Sequence, residues 1–235
     1  MTNHDGELLP SLSADFRAVI IGTSGGIGSA ITALVRQQRN VGDVIELSRS
    51  RDGLDLLDEP GIAAAATAIA GPIHLLVCAT GVLTVDGTKP EKSFRHLDPE
   101  VMLAQFKTNA VGPALIAKHF VPLLDRGSRS IALFLSARVG SIGDNMLGGW
   151  VSYRSSKAAL NQIVRTASIE TSRTHAEAVI AAIHPGTVRT ALSEPYSSGH
   201  PTVSPDEAAR SILRSADGLR ETGVFVAYDG SAIDW

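Results

Sequence analysis

The chain has 235 residues and a formal net charge of −3, and this length is sufficient for one substantial hydrophobic core. Its basic residues are scattered singly, so it lacks the basic patch that is typical of nucleic-acid binders. Its start is polar and acidic, and no apolar run approaches the ~20 residues that span a bilayer. We therefore expect a cytoplasmic protein that binds neither nucleic acid nor a membrane.

Short apolar runs alternate with longer helical patterns along the chain. Most of these runs are continuously apolar, as expected for strands that are buried on both faces. The alternation predicts a single-domain, doubly wound α/β fold with a parallel sheet and helices on both faces, over residues 17–235. Residues 1–16 form an N-terminal extension. The predicted strands are 17–22, 44–47, 73–80, 130–136, 178–184 and 223–228, and the predicted helices lie near 27–39, 60–70, 99–124, 152–175 and 205–217.

A glycine-rich turn, GTSGGIG at 22–28, follows the first predicted strand and opens the first predicted helix. Glycine lets the backbone approach a phosphate closely, and the helix N-terminus supplies free amides and a favourable dipole. The turn therefore favours an anionic dinucleotide, with a plain structural turn as the alternative.

Two segments without a regular pattern, 82–97 and 186–204, follow predicted strands. In open parallel sheets ligands bind beyond the carboxyl ends of the strands, so both segments are predicted to shape a substrate pocket. Between them, Asp98 and Pro99 have the residue types that begin a helix. Trp150 is a further candidate for the pocket wall.

Tyr153 and Lys157 lie four residues apart in a predicted helix, so both side chains share one face. Tyrosine normally titrates near ~10, and a cation within about 4–6 Å lowers the pKa of an acid by about 1–3 pH units. We therefore predict that Lys157 lowers the pKa of the Tyr153 phenol, which then exchanges a proton with a reacting oxygen.

The sequence indicates neither a metal site nor an internal disulfide. The seven histidines show no paired metal-ligand spacing, so we predict no metal site. We interpret His184, at a strand end, as a packed polar residue. Cys78 is the single cysteine and lies in an apolar run, so no internal disulfide can form.

Four motifs resemble, in order and spacing, the short-chain dehydrogenase/reductase family: GTSGGIG at 22–28, NAVG at 109–112, YRSSK at 153–157 and the Pro185-Gly186 pair. The resemblance covers about residues 18–235 and is most similar to the C-factor-like and sniffer carbonyl-reductase-like branch. It implies one NAD(P)-binding Rossmann-type domain, a small-molecule carbonyl or alcohol as substrate, and a homodimer or homotetramer.

The resemblance also implies the cofactor contacts. The glycines of the 22–28 turn hold the pyrophosphate, Asp55 contacts the adenine, and the segment from Thr187 to Thr190 meets the nicotinamide end. The full set of cofactor-binding residues implied is Gly22, Ser24, Gly26, Ile27, Gly28, Ser48, Arg49, Asp55, Gly81, Lys157, Pro185, Val188 and Thr190.

Cofactor choice depends on the end of the second predicted strand. Ser48 stands where NAD-preferring relatives carry an acid, and Arg49 can pair with a 2′-phosphate, so NADP is favoured over NAD. Two features favour NAD instead: Glu46 lies on the same strand, and Gly25 stands where many NADP-dependent relatives carry a second basic residue.

The same resemblance implies the catalytic roles. Tyr153 protonates the carbonyl oxygen while hydride leaves the nicotinamide, and Lys157 assists the phenol and binds the nicotinamide ribose. Asn109 holds a water that links the lysine to solvent. The implied function is hydride transfer between NADPH and a carbonyl or alcohol, and the alternative is a dinucleotide-binding regulatory or signalling protein of C-factor type.

The serine of the family's catalytic set is replaced here, because that position falls on Ala137. Ser136, one residue earlier, is the nominal catalytic serine, although successive strand side chains face opposite ways. Ser141 is a second candidate, and the third alternative is that no serine orients the substrate.

Overall fold

The computed structural model describes residues 7–196 and 201–235. Within them lies one parallel sheet of six strands in the order β2-β1-β3-β4-β5-β6. The strand order reverses between β1 and β3, and such a switch point opens a crevice at the carboxyl edge. All six predicted strands are confirmed. They are β1 (Phe16–Ile21), β2 (Val41–Leu47), β3 (Leu75–Cys78), β4 (Ser130–Leu135), β5 (Ala178–His184) and β6 (Val224–Ala227).

Helices cover both faces of the sheet, which explains why β3 and β4 are fully buried and β1 and β5 almost fully buried. Alternate residues of β1 enter opposite cores: Val19 packs on one face and Ile20 on the other. The second core also buries Leu8 and Leu9 from the predicted N-terminal extension. The helices are α1 (Gly26–Arg36), α2 (Arg49–Asp52), α3 (Glu59–Thr67), α4 (Pro99–Phe106), α5 (Gly112–Phe120), α6 (Val151–Thr171) and α7 (Pro205–Gly218).

The helix predicted at 99–124 is confirmed over residues 99–123, but it is not α-helical throughout. A π-helical turn, Lys107–Val111, separates α4 from α5, and within it the Gly112 N–H bonds the Lys107 carbonyl five residues back. Pro113 supplies the physical reason, because it has no N–H to donate to the carbonyl of Asn109, as an α-helix requires. The π-helical turn therefore contains a predicted site residue, Asn109.

Other sequence predictions can be compared directly with the structure. Asp98 caps α4 as predicted, accepting from the backbone N–H groups of Glu100 and Val101. Cys78 is a buried thiol. Within residues 7–196 and 201–235, no helix is long and apolar enough to cross a membrane, and no group of three or more His, Cys, Asp or Glu residues could hold a metal ion.

Candidate active site

Two cavities open at the carboxyl edge of the sheet. The larger, which we call the Tyr153 cavity, has a volume of about 510 Å³ and lies beyond β4 and β5; the smaller, the Arg49 cavity, has about 310 Å³ and lies beyond β1, β2 and β3. Of the predicted site residues, the Tyr153 cavity is lined by Ile27, Ser136, Tyr153, Pro185, Val188 and Thr190, and the Arg49 cavity by Gly22, Ser24, Ser48, Arg49, Asp55 and Gly81.

The glycine turn adopts a backbone that side chains would block. Gly22 has φ +94°, and a Cβ on it would lie 2.7 Å from the Ala79 carbonyl oxygen. A Cβ on Gly28 would lie 2.3 Å from the Gly22 carbonyl oxygen. The turn leads into α1, whose N-cap residue Gly25 provides no side-chain cap. The first-turn amides of α1 are thus able to bind an anion.

Tyr153 and Lys157 are both buried on one face of α6. The two residues are 9% and 3% exposed, and the Lys157 Nζ lies 5.9 Å from the centre of the Tyr153 ring. The same Nζ donates to the Leu135 carbonyl oxygen at 3.0 Å, which ties the lysine to the end of β4. The predicted pairing on one helix face is therefore present.

The predicted direction of the Tyr153 pKa was wrong. Burial raises the pKa of Tyr153 to about 12, and burial lowers the pKa of Lys157 to about 8. Removal from water opposes the charged form of each group, and it is the largest cause of both shifts. The phenol is therefore protonated throughout the neutral range, which is the form that can donate a proton.

Asn109 lies in the π-helical turn and joins three segments. Its Oδ1 accepts from the Val82 N–H at 2.8 Å, and its Nδ2 donates to the Val82 carbonyl at 2.9 Å and to the Ser156 Oγ at 3.1 Å. A Cβ on Gly81 would lie 3.2 Å from the Lys157 Nζ and 3.3 Å from the Asn109 Oδ1. Asn109 and Lys157 therefore flank the same glycine.

Neither candidate serine offers a free hydroxyl proton to the Tyr153 cavity. Ser136 lines the cavity, but its Oγ donates to Asn161 Oδ1 at 2.6 Å. Ser141 is buried, accepts from the Asp144 N–H at 3.0 Å, and does not line this cavity. Ala137 does line it. Sequence reasoning missed Asn161, although its position four residues after Lys157 placed it on the same helix face.

The Arg49 cavity ends at a cluster of charges around β2. Glu46 is ion-paired with Arg36 and with Arg51, each at 2.5 Å, so its carboxylate is neutralised. Ser48 is buried, and its N–H donates to the Asp52 carboxylate at 3.0 Å. Arg49 lines the cavity and has no ion-pair partner within the described part of the chain.

The two predicted substrate loops meet at the aromatic wall of the Tyr153 cavity. The Trp150 ring lies edge-on to Tyr153 and to Tyr196, with centroid distances of 6.3 Å and 5.4 Å. The Tyr196 Oη lies 2.7 Å from the Thr84 Oγ1, which joins loop 186–204 to loop 82–97. Trp150 lines the cavity as predicted. Residues 197–200 of the second loop lie outside the described residues.

His184 lines the same cavity, a position that sequence reasoning did not foresee. Its Nδ1 is buried without a hydrogen-bond partner in this structure. Burial, together with the nearby Arg138 charge, lowers the pKa of His184 to about 4. The imidazole is therefore neutral at pH 7.

Comparisons with known proteins agree with this architecture. The chicken fatty liver carbonyl reductase, solved with bound NADPH, superposes with a TM-score of 0.80 at 21% identity and covers 96% of each chain. The carbonyl reductase Sniffer of D. melanogaster has the same TM-score at 19% identity, covering 94% of this chain and 100% of that one. These likenesses show the Rossmann-type fold.

Sequence relatives carry the comparison further. The chain is 28% identical over 229 residues to the 1-hydroxy-2-glutathionyl-2-methyl-3-butene dehydrogenase of Rhodococcus sp. (strain AD45), covering 92% of this chain and 98% of that protein. It is 31% identical to the C-signal of Myxococcus xanthus, covering 70% and 94%, as the C-factor-like resemblance predicted. The family model for short chain dehydrogenase matches residues 54–200. The chain therefore belongs to the short-chain dehydrogenase family.

Proposed function

We propose that the protein is an NADPH-dependent oxidoreductase that reduces a small-molecule carbonyl group or oxidises the corresponding alcohol. The observation that carries this proposal is the buried, protonated Tyr153 phenol, which lines one cavity with Pro185, Val188 and Thr190. Lys157 lies one turn further along the same helix face. The arrangement supports an acid next to the nicotinamide end of a dinucleotide.

The residues fit such a cofactor. A Cβ on Gly22 or Gly28 would collide with backbone, and the uncapped amides of α1 suit a pyrophosphate. Arg49 would hold the 2′-phosphate, and the pairing of Glu46 with two arginines removes the main objection to NADP. The bound nicotinamide would supply the hydride. A carbonyl reductase and a small-chain dehydrogenase, each solved with NADPH, are among the structural neighbours and are consistent with this choice.

The chain's own residues account for the proton. The Tyr153 phenol donates its proton to the carbonyl oxygen, and the Lys157 ammonium would hold the ribose of the cofactor and favour the phenolate that remains. Asn109 holds loop 82–97 against α6 through Val82 and Ser156, and it would bind a water that connects Lys157 to solvent. With Ala137 in place of a serine, no serine orients the substrate, and slow turnover is expected.

A steady-state assay of NADPH oxidation with a panel of aldehydes and ketones tests the proposal. Tyr153→Phe should lower kcat by at least about 100-fold, because it removes the general acid. Tyr228→Phe, on an exposed tyrosine outside the cavity, is the matched control and should retain the parent rate. Equal rates for Tyr153→Phe and the parent would refute the proposed mechanism.

Cofactor choice is tested separately by binding. Arg49→Ala should weaken NADPH binding roughly tenfold and leave NADH binding unchanged, since a lost charge-assisted pair is worth about this much. Arg39→Ala, another exposed arginine, is the control. If NADPH and NADH bind Arg49→Ala in the parent's ratio, Arg49 does not select the phosphate.

The second candidate function is regulatory, and the 31% identity to C-signal together with Ala137 favours it. In that case the dinucleotide binds and turnover stays absent across the panel. Rapid turnover after cofactor titration would reject a purely regulatory function.

We also propose a homodimer or homotetramer. Exposed apolar side chains on α4, at the π-helical turn and on α6 support an interface there: Leu103 is 54% exposed, Val111 47% and Ile169 47%. Light scattering should give a mass of two or four chains, and Leu103→Glu should shift it toward one.

A further inference from the structure

The Tyr153 cavity has an unbalanced charge. Arg138 and Arg154 line it, whereas no aspartate or glutamate is among the described residues of its lining. The Lys157 ammonium does not line it, and His184, whose pKa is lowered to about 4, is neutral at pH 7. At neutral pH the lining therefore carries positive charge without a carboxylate of its own.

Arg154 is held in place by neutral groups. Its Nε donates to the Gly149 carbonyl at 2.9 Å, and its Nη1 donates to the Val139 carbonyl at 3.4 Å. Within residues 7–196 and 201–235 it has no carboxylate partner. A guanidinium has five N–H donors, so these two bonds fix its orientation and leave donors for a ligand.

Arg138 contributes less positive charge to the cavity than Arg154, because the carboxylates of Asp144 and Asp229 offset its charge. It pairs with Asp144 at 3.3 Å, with side chains 47% and 43% exposed, and Asp229 acts on it at longer range. Pairs this exposed are weak and compete poorly with a ligand anion. The Arg138 charge therefore remains partly available at the cavity.

The rest of the lining describes the body of the ligand. Leu83, Leu147, Trp150, Leu192 and Tyr196 provide an apolar and aromatic wall. A ligand that matches both features has an apolar body and one anionic end. Such a combination orients the ligand, because the apolar wall and the guanidinium recognise different ends.

On the basis of the proposed function, we infer that the carbonyl substrate carries an anionic group, a carboxylate or a chemically similar oxyanion, and that Arg154 binds it with support from Arg138. The reacting carbonyl then faces Tyr153, and the anion lies at the guanidinium. Arg154 is a specificity-determining residue that takes no part in proton transfer.

The test compares 4-formylbenzoate with its methyl ester, which share the aldehyde and ring and differ in charge. In the parent protein kcat/KM should be roughly tenfold higher for the acid, as expected for a charge-assisted contact. In Arg154→Gln the kcat/KM values of the two substrates should lie within about twofold of each other, because only the value for the acid falls. Arg210→Gln, an exposed arginine on α7, is the control and should keep the parent's ratio.

Thermal unfolding of Arg154→Gln measures whether losing the hydrogen bonds to Gly149 and Val139 destabilises the protein. The inference would be overturned if the parent has equal kcat/KM for acid and ester, or if Arg154→Gln lowers kcat/KM equally for both. In either case, measurable turnover would still support the proposed reductase function. Calorimetric binding of both compounds separates the two proposals. If neither aldehyde is reduced, but the parent binds the acid tenfold more tightly than the ester and Arg154→Gln does not, the anion site is supported and the reductase function is refuted.

Discussion

At the scale of a single residue, Ala137 determines the turnover rate that we expect. It lines the Tyr153 cavity at the position to which the family resemblance assigns a serine, and the Ser136 hydroxyl donates its proton to Asn161. Ala137→Ser should therefore raise kcat at least tenfold, since one such donor is worth ~10²–10³ in turnover. The assay is NADPH oxidation, and Ser141→Ala, outside the cavity, should leave the rate unchanged. A rate that stays flat in Ala137→Ser would mean that this position does not meet the substrate oxygen.

Lys157 sets a pH dependence at the same scale. Burial lowers its pKa to about 8, so the ammonium is present below about pH 8 and is lost as the pH rises through that value. The affinity for NADPH should fall above about pH 8 in the parent. Lys157→Met should bind more weakly at pH 7 and show no inflection there. Titrations by fluorescence between pH 6.5 and 9.5 measure both, and a flat parent profile would contradict the role of the ammonium.

At the scale of the element, α6 depends on a residue outside it for its N-terminus. Its N-cap residue Trp150 has φ +52° and makes no side-chain cap. The buried Glu91 supplies one: its carboxylate accepts from the N–H and hydroxyl of Ser152, and its carbonyl accepts from the Trp150 N–H at 2.6 Å. A carboxylate is also favourable at the positive end of a helix. Glu91 thus fixes the turn that leads into Tyr153.

Glu91→Ala should lower the free energy of unfolding by about 1–2 kcal/mol, the usual cost of a lost cap. It should also lower kcat more than it raises KM, because the Tyr153 turn loosens. Urea unfolding and steady-state kinetics measure the two effects. Glu100→Ala, on the exposed first turn of α4, provides the comparison and should affect kcat very little. A fully stable and active Glu91→Ala would show that α6 does not need this cap.

At the scale of the whole molecule, His184 links stability to acid. Its folded pKa of about 4 lies below the usual ~6.5, so the unfolded chain takes up the proton first as the pH falls. The contribution of neutral His184 to the free energy of unfolding should be fully present above about pH 6.5. Between pH 6.5 and 4 the free energy of unfolding should fall by up to about 3 kcal/mol.

His184→Asn removes this titration. Urea unfolding at several pH values should show a shallower acid decline for His184→Asn than for the parent, whereas His96→Asn, on an exposed histidine, should follow the parent. Parallel declines for all three proteins would assign acid sensitivity to other groups.

Much of the fold was predictable because its signals are local. Strands buried on both faces are mostly apolar, and β1, β3, β4 and β5 were identified from that property, whereas the edge strand β2 contains Gly42, Asp43 and Glu46. The π-helical turn inside the helix at 99–124 was not predicted, because the apolar pattern continues through it. Pro113 was the available signal, since a proline inside a helix removes the bond to the carbonyl four residues before it.

The sequence by itself determined the doubly wound class, the glycine turn and the placement of Tyr153 and Lys157 on one face, because each follows from residue spacing in a single element. Only the tertiary structure decided the direction of the Tyr153 pKa, the partner of Ser136 and the neutralisation of Glu46. These properties depend on which groups exclude water and which charges meet across distant parts of the chain, and spacing along the chain does not encode such contacts.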